Sequence, residues 1–107
     1  SINGLRGREG QPAYSTAKAG LVGFTKTVAK ELGLYNVNVN MVVCGYIKPM
    51  KKPDQVKELA KRYMLNERAM KHLTEPDEIA NLITFLCSRQ AKYMTGSIIK
   101  MDSGEYI

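Results

Sequence analysis

Tyr14 and Lys18 stand four residues apart at the head of a segment with helical periodicity. On a helix that spacing puts both side chains on one face, with Cβ atoms about 5 to 6 Å apart. A phenol ordinarily ionises at about pH 10, so tyrosine moves protons near neutrality only beside a group that favours its phenolate. A lysine ammonium is such a group. The pair is suited to proton transfer at an oxygen atom, but Tyr-x-x-x-Lys also falls by chance in helices with no such role. The surroundings decide.

The element that positions this pair is a helix from Ala13 to about Leu34, in which Ala13, Ala17, Leu21, Phe24, Val28 and Leu32 recur every three or four residues. Gly20 and Gly23 lie inside it. A glycine in a helix costs roughly 1 kcal/mol against alanine, so the two point to close packing against a neighbour. Before the helix, residues 3–12 hold three glycines and a proline among polar residues and read as a loop. After it, Asn36 breaks the pattern, and Val37 to Cys44 is β-branched, alternating and then continuously apolar, a strand with a buried end. Gly45 and Pro49 frame a turn. Pro53-Asp54 opens a helix to about Leu65, and Thr74 with Pro76 and Asp77 reads as the N-cap of another through Leu86. Ser97 to Met101 is the last strand. Helices between strands indicate an α/β fold with a parallel sheet. Two strands alone leave unpaired edges, so further strands are expected from outside these 107 residues.

Composition narrows the class. With 44% hydrophobic and 24% charged residues the chain suits a single globular domain, and it contains no apolar run of membrane-spanning length and no signal peptide pattern at its start. Cys44 and Cys87 each sit in apolar runs and are expected as buried free thiols in a reducing compartment. One histidine, His72, and no paired Cys/His spacing leave no basis for a metal site. The net charge is +6, and the stretch from Lys48 to Lys71 supplies five of those charges, with eight basic residues against three acidic. Such a stretch is either a solvated face or a rim for an acidic partner.

Taken together, Ser1 thirteen residues before Tyr14, the glycine-rich segment between them, Y14-S-T-A-K18-A-G-L-V-G-F, V39-N-M-V-V-C-G45 and T95-G-S-I-I-K-M-D-S-G104 resemble the short-chain dehydrogenase/reductase family in order and spacing. The resemblance spans essentially the whole chain and lies nearest the β-ketoacyl-(acyl carrier protein) reductases. It implies the C-terminal half of a doubly wound Rossmann fold, residues 1–107 being a partial domain without the N-terminal cofactor-binding half. It implies catalytic roles for Ser1, Tyr14 and Lys18: Tyr14 protonates the carbonyl oxygen, Ser1 hydrogen-bonds it, and Lys18 binds the nicotinamide ribose. The cofactor, NADP or else NAD, is contacted by Tyr14, Lys18, Gly45 and the backbone of Ile47. The implied substrate is an acyl thioester or other carbonyl compound, with acyl carrier protein as a possible partner and no membrane. The implied assembly is a homo-oligomer, commonly a tetramer. The implied compartment is the cytoplasm, with mitochondrial matrix or plastid stroma as alternatives.

Several positions depart from the family pattern. Cys44 replaces the usual proline before Gly45, and Pro49 occupies the place of a threonine that helps bind the carboxamide, supplying neither a side-chain donor nor a backbone N–H. Cys44 is expected as a small filler at the strand end. Tyr35 stands where some members carry a basic carrier-docking residue. The second function class compatible with these features is a non-catalytic scaffold or nucleic-acid-binding subunit derived from such a reductase. Against it, no interleaved aromatic and basic pattern suggests base stacking, and Tyr46, Tyr63 and Tyr93 read as core or rim residues. Binding of RNA or DNA with a steep salt dependence would mark the scaffold.

The basic stretch yields a direct test. Replacing Lys51 and Lys52 with glutamate in the complete enzyme is expected to lower kcat/KM for a carrier-bound ketoacyl substrate several-fold more than for a small thioester analogue, and the gap closes at high salt. Equal effects on both substrates at all salt concentrations would assign the stretch to solvent.

Overall fold

The computed structural model describes residues 1–50, 54, 57, 58 and 68–107. Within them the order is α1 (Asn3–Arg6), α2 (Pro12–Leu32), a 3-10 turn (Gly33–Tyr35), β1 (Met41–Cys44), α3 (Pro76–Leu86), a second 3-10 turn (Arg89–Ala91) and β2 (Ile98–Met101). The strands pair in parallel, with Met41 opposite Ile98 and Cys44 opposite Met101. The α/β class and the parallel sheet are as expected. The helix expected from Pro53 to about Leu65 lies largely outside the described residues.

Several boundaries differ, among them the end of α2 at Leu32 and the start of β2 at Ile98. Residues 3–6, expected as loop, form α1, which is held by burial of Ile2 and Asn3 rather than by helix propensity. Helix α2 starts one residue early because Pro12, with φ already fixed, fits the first helical position. Strand β1 begins at Met41 and not Val37. Between 37 and 40 asparagine side chains interrupt the backbone ladder: Asn38 Nδ2 donates to the Ala91 carbonyl (3.0 Å), Asn40 Nδ2 donates to the Met94 carbonyl (2.6 Å), and Asn40 Oδ1 accepts the Ser97 N–H (3.1 Å). Helix α3 is capped by Glu75, not Thr74. The Glu75 side chain accepts from the third residue of the helix while Glu78 accepts from the Glu75 N–H at 2.8 Å, a reciprocal box with proline at the first position. Thr74 is instead buried and pairs with Ile47 in an isolated parallel bridge.

The periodicity that located α2 does not mark its buried face. Thr25 and Ala29 are buried and Lys18 and Val22 half-buried, whereas Leu21 and Phe24 are exposed at 42% and 61%. A Cβ at Gly20 or Gly23 would meet nothing within 4 Å, so neither glycine marks close packing among the described residues. Val22 packs from this face against the core of Ile2, Met41 and Val43, together with Leu5 and Ile98.

One glycine does set a close approach. A Cβ on Gly4 would lie 2.7 Å from Lys18 Cβ and 2.8 Å from the Lys18 carbonyl carbon, so α1 rests on the backbone of α2 only because that position has no side chain. Gly4→Ala is expected to destabilise the protein by about 1 to 3 kcal/mol through overpacking, read as a lower denaturation midpoint with unchanged m. A Gly20→Ala control, open at that site, is expected to be neutral or slightly stabilising.

Candidate active site

The site is assembled from three chain segments meeting where β1 and β2 end. Strand β1 runs out at Cys44, whose carbonyl accepts the Ile2 N–H at 3.0 Å and so fixes the start of α1 against the sheet. The next residue, Gly45, donates its N–H to the Met101 carbonyl at 3.2 Å. A Cβ there would come within 2.8 Å of Asp102 Cβ and 3.0 Å of a Glu105 carboxylate oxygen. Glycine is thus required for the loop to pass the chain end.

Around this junction lies a cavity of about 390 Å³ lined by Ser1, Tyr14, Gly45, Tyr46, Ile47 and Glu105, with Asn3, Arg8 and Gln11 on its wall. Four of the residues singled out from sequence, Ser1, Tyr14, Gly45 and Ile47, therefore share one pocket. Lys18 does not line it but stands beside Tyr14, its ammonium 5.5 Å from the ring centroid, within cation–π range. Tyr14 is 45% exposed, its hydroxyl-bearing ring open to the pocket side and to solvent. The Ser1 hydroxyl accepts the Asn3 N–H at 3.2 Å and keeps its own proton available for donation.

The wall residues were not found from sequence. Asn3 Nδ2 donates to Gln11 Oε1 (3.1 Å), and Arg6 Nε donates to Asn3 Oδ1 (3.3 Å), which closes the loop between α1 and α2 over the cavity. Glu105 reaches the site from the far end of the chain, a placement no local pattern signals. A larger cavity of about 510 Å³, bounded by Lys26, Lys30, Leu34 and Thr95, contains none of the candidate residues.

A family model described as enoyl-(acyl carrier protein) reductase matches residues 1–105. The chain belongs to the short-chain dehydrogenase/reductase family. It is 41% identical over 106 residues to a 3-oxoacyl-(acyl-carrier-protein) reductase of Aquifex aeolicus, a match covering 99% of this chain and 42% of that protein. It is 40% identical over 111 residues to an acetoacetyl-CoA reductase of Shinella zoogloeoides, covering 99% and 44%. A (3R)-3-hydroxyacyl-CoA dehydrogenase of Canis lupus familiaris is 37% identical over 108 residues, covering 100% and 41%. A solved structure of an Escherichia coli str. K-12 oxidoreductase superposes with a TM-score of 0.79 at 30% identity, covering 98% of this chain and 39% of that one. The chain thus spans about two fifths of the length of the curated relatives it matches, and its fold is the α/β, Rossmann-like arrangement of this family.

The cysteines separate at this site. Cys44 is half-buried, and burial pushes its thiol up from the ordinary value, whereas Cys87, expected to be buried, is exposed just past α3. The apolar run that suggested burial of Cys87 belongs to a helix with no fully buried residue. A raised pKa leaves less thiolate at any pH below it, so Cys44 is expected to alkylate more slowly than Cys87 at neutral pH. Its rate should continue to climb at pH values where an ordinary thiol has levelled off. Peptide mapping after graded iodoacetamide treatment checks both; faster labelling of Cys44 would make it a reactive thiol at the pocket.

Proposed function

We propose that this chain carries the catalytic residues of an NAD(P)H-dependent carbonyl reductase acting on 3-ketoacyl thioesters to give 3-hydroxyacyl thioesters. The observation that supports it most directly is the sharing of one pocket by Ser1 and Tyr14, with the Lys18 ammonium 5.5 Å from the centroid of the tyrosine ring. The names of the Aquifex aeolicus, Shinella zoogloeoides and canine relatives point to the same substrate class.

In this reading the carbonyl oxygen of the substrate lies between two hydroxyls. Ser1 donates a hydrogen bond to it and fixes its position, and Tyr14 donates the proton that becomes part of the product hydroxyl. Lys18 stabilises the negative charge left on the tyrosine oxygen. A bound reduced nicotinamide nucleotide, NADPH or NADH, supplies the hydride. The donor set suits its nicotinamide-ribose end: Tyr14 lines the pocket with Lys18 beside it, so a hydroxyl and an ammonium would hold a ribose, and the backbone of Gly45 to Ile47 runs along the pocket wall for the carboxamide. Gly45 keeps that backbone clear of side-chain bulk. The half-buried Pro49 has neither an N–H nor a side-chain donor to offer the carboxamide. We place acyl carrier protein, homo-oligomeric assembly and a cytoplasmic site of action within this same proposal.

Tyr14→Phe in the complete protein is expected to cut kcat by several orders of magnitude while the fold persists, because it deletes one hydroxyl at an exposed ring. NADPH oxidation with a 3-ketoacyl thioester measures it. A variant that keeps most of its kcat with an unaltered pH profile would remove Tyr14 from the chemistry.

A further inference from the structure

The C-terminal turn carries a carboxylate placed among groups that the reaction does not use. Glu105 is 10% exposed, and its Oε1 accepts from Arg6 Nη2 at 3.2 Å. Its Oε2 accepts both from Arg68 Nη2 and, at 3.2 Å, from the backbone N–H of Tyr46. Arg68 is fully buried and also donates to the carbonyls of Tyr46 (3.4 Å) and His72 (3.3 Å). The turn itself is rigidly built. Asp102 accepts the N–H groups of Gly104 and Tyr106, each at 3.0 Å, and the carbonyls of Ser103 and Gly104 take the N–H groups of Met70 and Ala69.

Each of these partners belongs to a different chain segment, and Tyr46 lines the pocket itself. Arg6 ends α1, which begins just past Ser1. Tyr46 is the middle residue of the loop Gly45 to Ile47. Arg68 leads into the segment that pairs with Ile47 through Thr74. A single carboxylate therefore spans all three, and both backbone polar groups of Tyr46 are held by the Glu105–Arg68 pair.

We infer that Glu105 is a positioning residue, whose carboxylate holds the loop 45–47 against helix α1 through the Tyr46 N–H and the guanidinium groups of Arg6 and Arg68. It touches no reacting atom. Its work is to keep the loop backbone and the Ser1 hydroxyl at a constant separation, which is where small displacements cost rate. A buried ion cluster adds little net stability compared with apolar side chains of similar volume, but breaking one member alone leaves a bare charge. That asymmetry separates positioning from mere stability.

The kinetic part of the test rests on the reductase reading; the exchange part does not. In the complete native protein, Glu105→Leu combined with Arg68→Met removes both buried charges together and leaves the Tyr46 N–H without its acceptor. The expected result is a Tm within about 4 °C of the parent. Amide exchange at Tyr46 should be faster by about tenfold or more. Turnover of a 3-ketoacyl thioester should fall roughly tenfold to a hundredfold in kcat, with a smaller change in KM. Parental Tm together with parental Tyr46 protection and kcat would overturn the inference. Should the double variant unfold, Glu105→Gln keeps an acceptor for Tyr46 but loses its pull on the two arginines. It is expected to show both losses in smaller measure, and parental values in it would equally overturn the inference. A parent protein without reductase activity refutes the proposed function instead, and Tyr46 exchange then decides on Glu105 by itself.

Discussion

The parallel register of β1 with β2 is the constraint on which the site depends. Because Cys44 lies opposite Met101, both strands stop at the same level, and the residues that follow them, Gly45 and Asp102, are driven into contact. Parallel strands deliver their chain ends to one edge, so loops leaving that edge converge. Had the register slipped by one residue, the side chains of β1 would exchange faces and Val43 would leave the core. The burial of Val43 and Met41 therefore holds the alignment that sets Gly45 beside Glu105.

Against this edge the two helices before β1 bring the hydroxyl groups. Helix α1 is too short to persist alone and takes its place from the Ile2 bond to Cys44 and from contact between Gly4 and the Lys18 backbone. Helix α2 is long enough to carry Tyr14 at a rigid angle, and Lys30 in its last turn complements the negative end of its dipole. The serine is thus placed by packing and the tyrosine by the helix.

Local patterns in the sequence were sufficient for the elements whose signals are local: α2 and α3 from their periodicity, the strands from β-branched runs, and the Tyr14–Lys18 pair from i, i+4 spacing. The errors arise where distant groups decide. Asn38 and Asn40 look like alternating strand residues but spend their amides on Ala91, Met94 and Ser97, which lie more than fifty positions away. The apolar stripe of α2 predicts a buried face, yet the face turned inward carries Lys18, Val22, Thr25 and Ala29, where Gly4 of α1 rests on the Lys18 backbone and Val22 packs on the core. Glu105 and Arg68 carry no pattern of their own, and their meeting follows only from the sheet. Ser1 carries no pattern of its own and is singled out by resemblance alone; the structure sets it in the same pocket as Tyr14.

The register also sets an order of assembly. Gly4 meets Lys18 across a short stretch of chain, whereas Met41 meets Ile98 across more than fifty residues. Closing the longer loop costs roughly 1 kcal/mol more in chain entropy than closing the shorter one. The hydroxyl-bearing half of the pocket can therefore form early, from local contacts. The Gly45 to Ile47 wall is completed only when the last strand has docked and the C-terminal turn has folded over it. During synthesis this wall of the pocket forms only after β2 and the turn that follows it have left the ribosome.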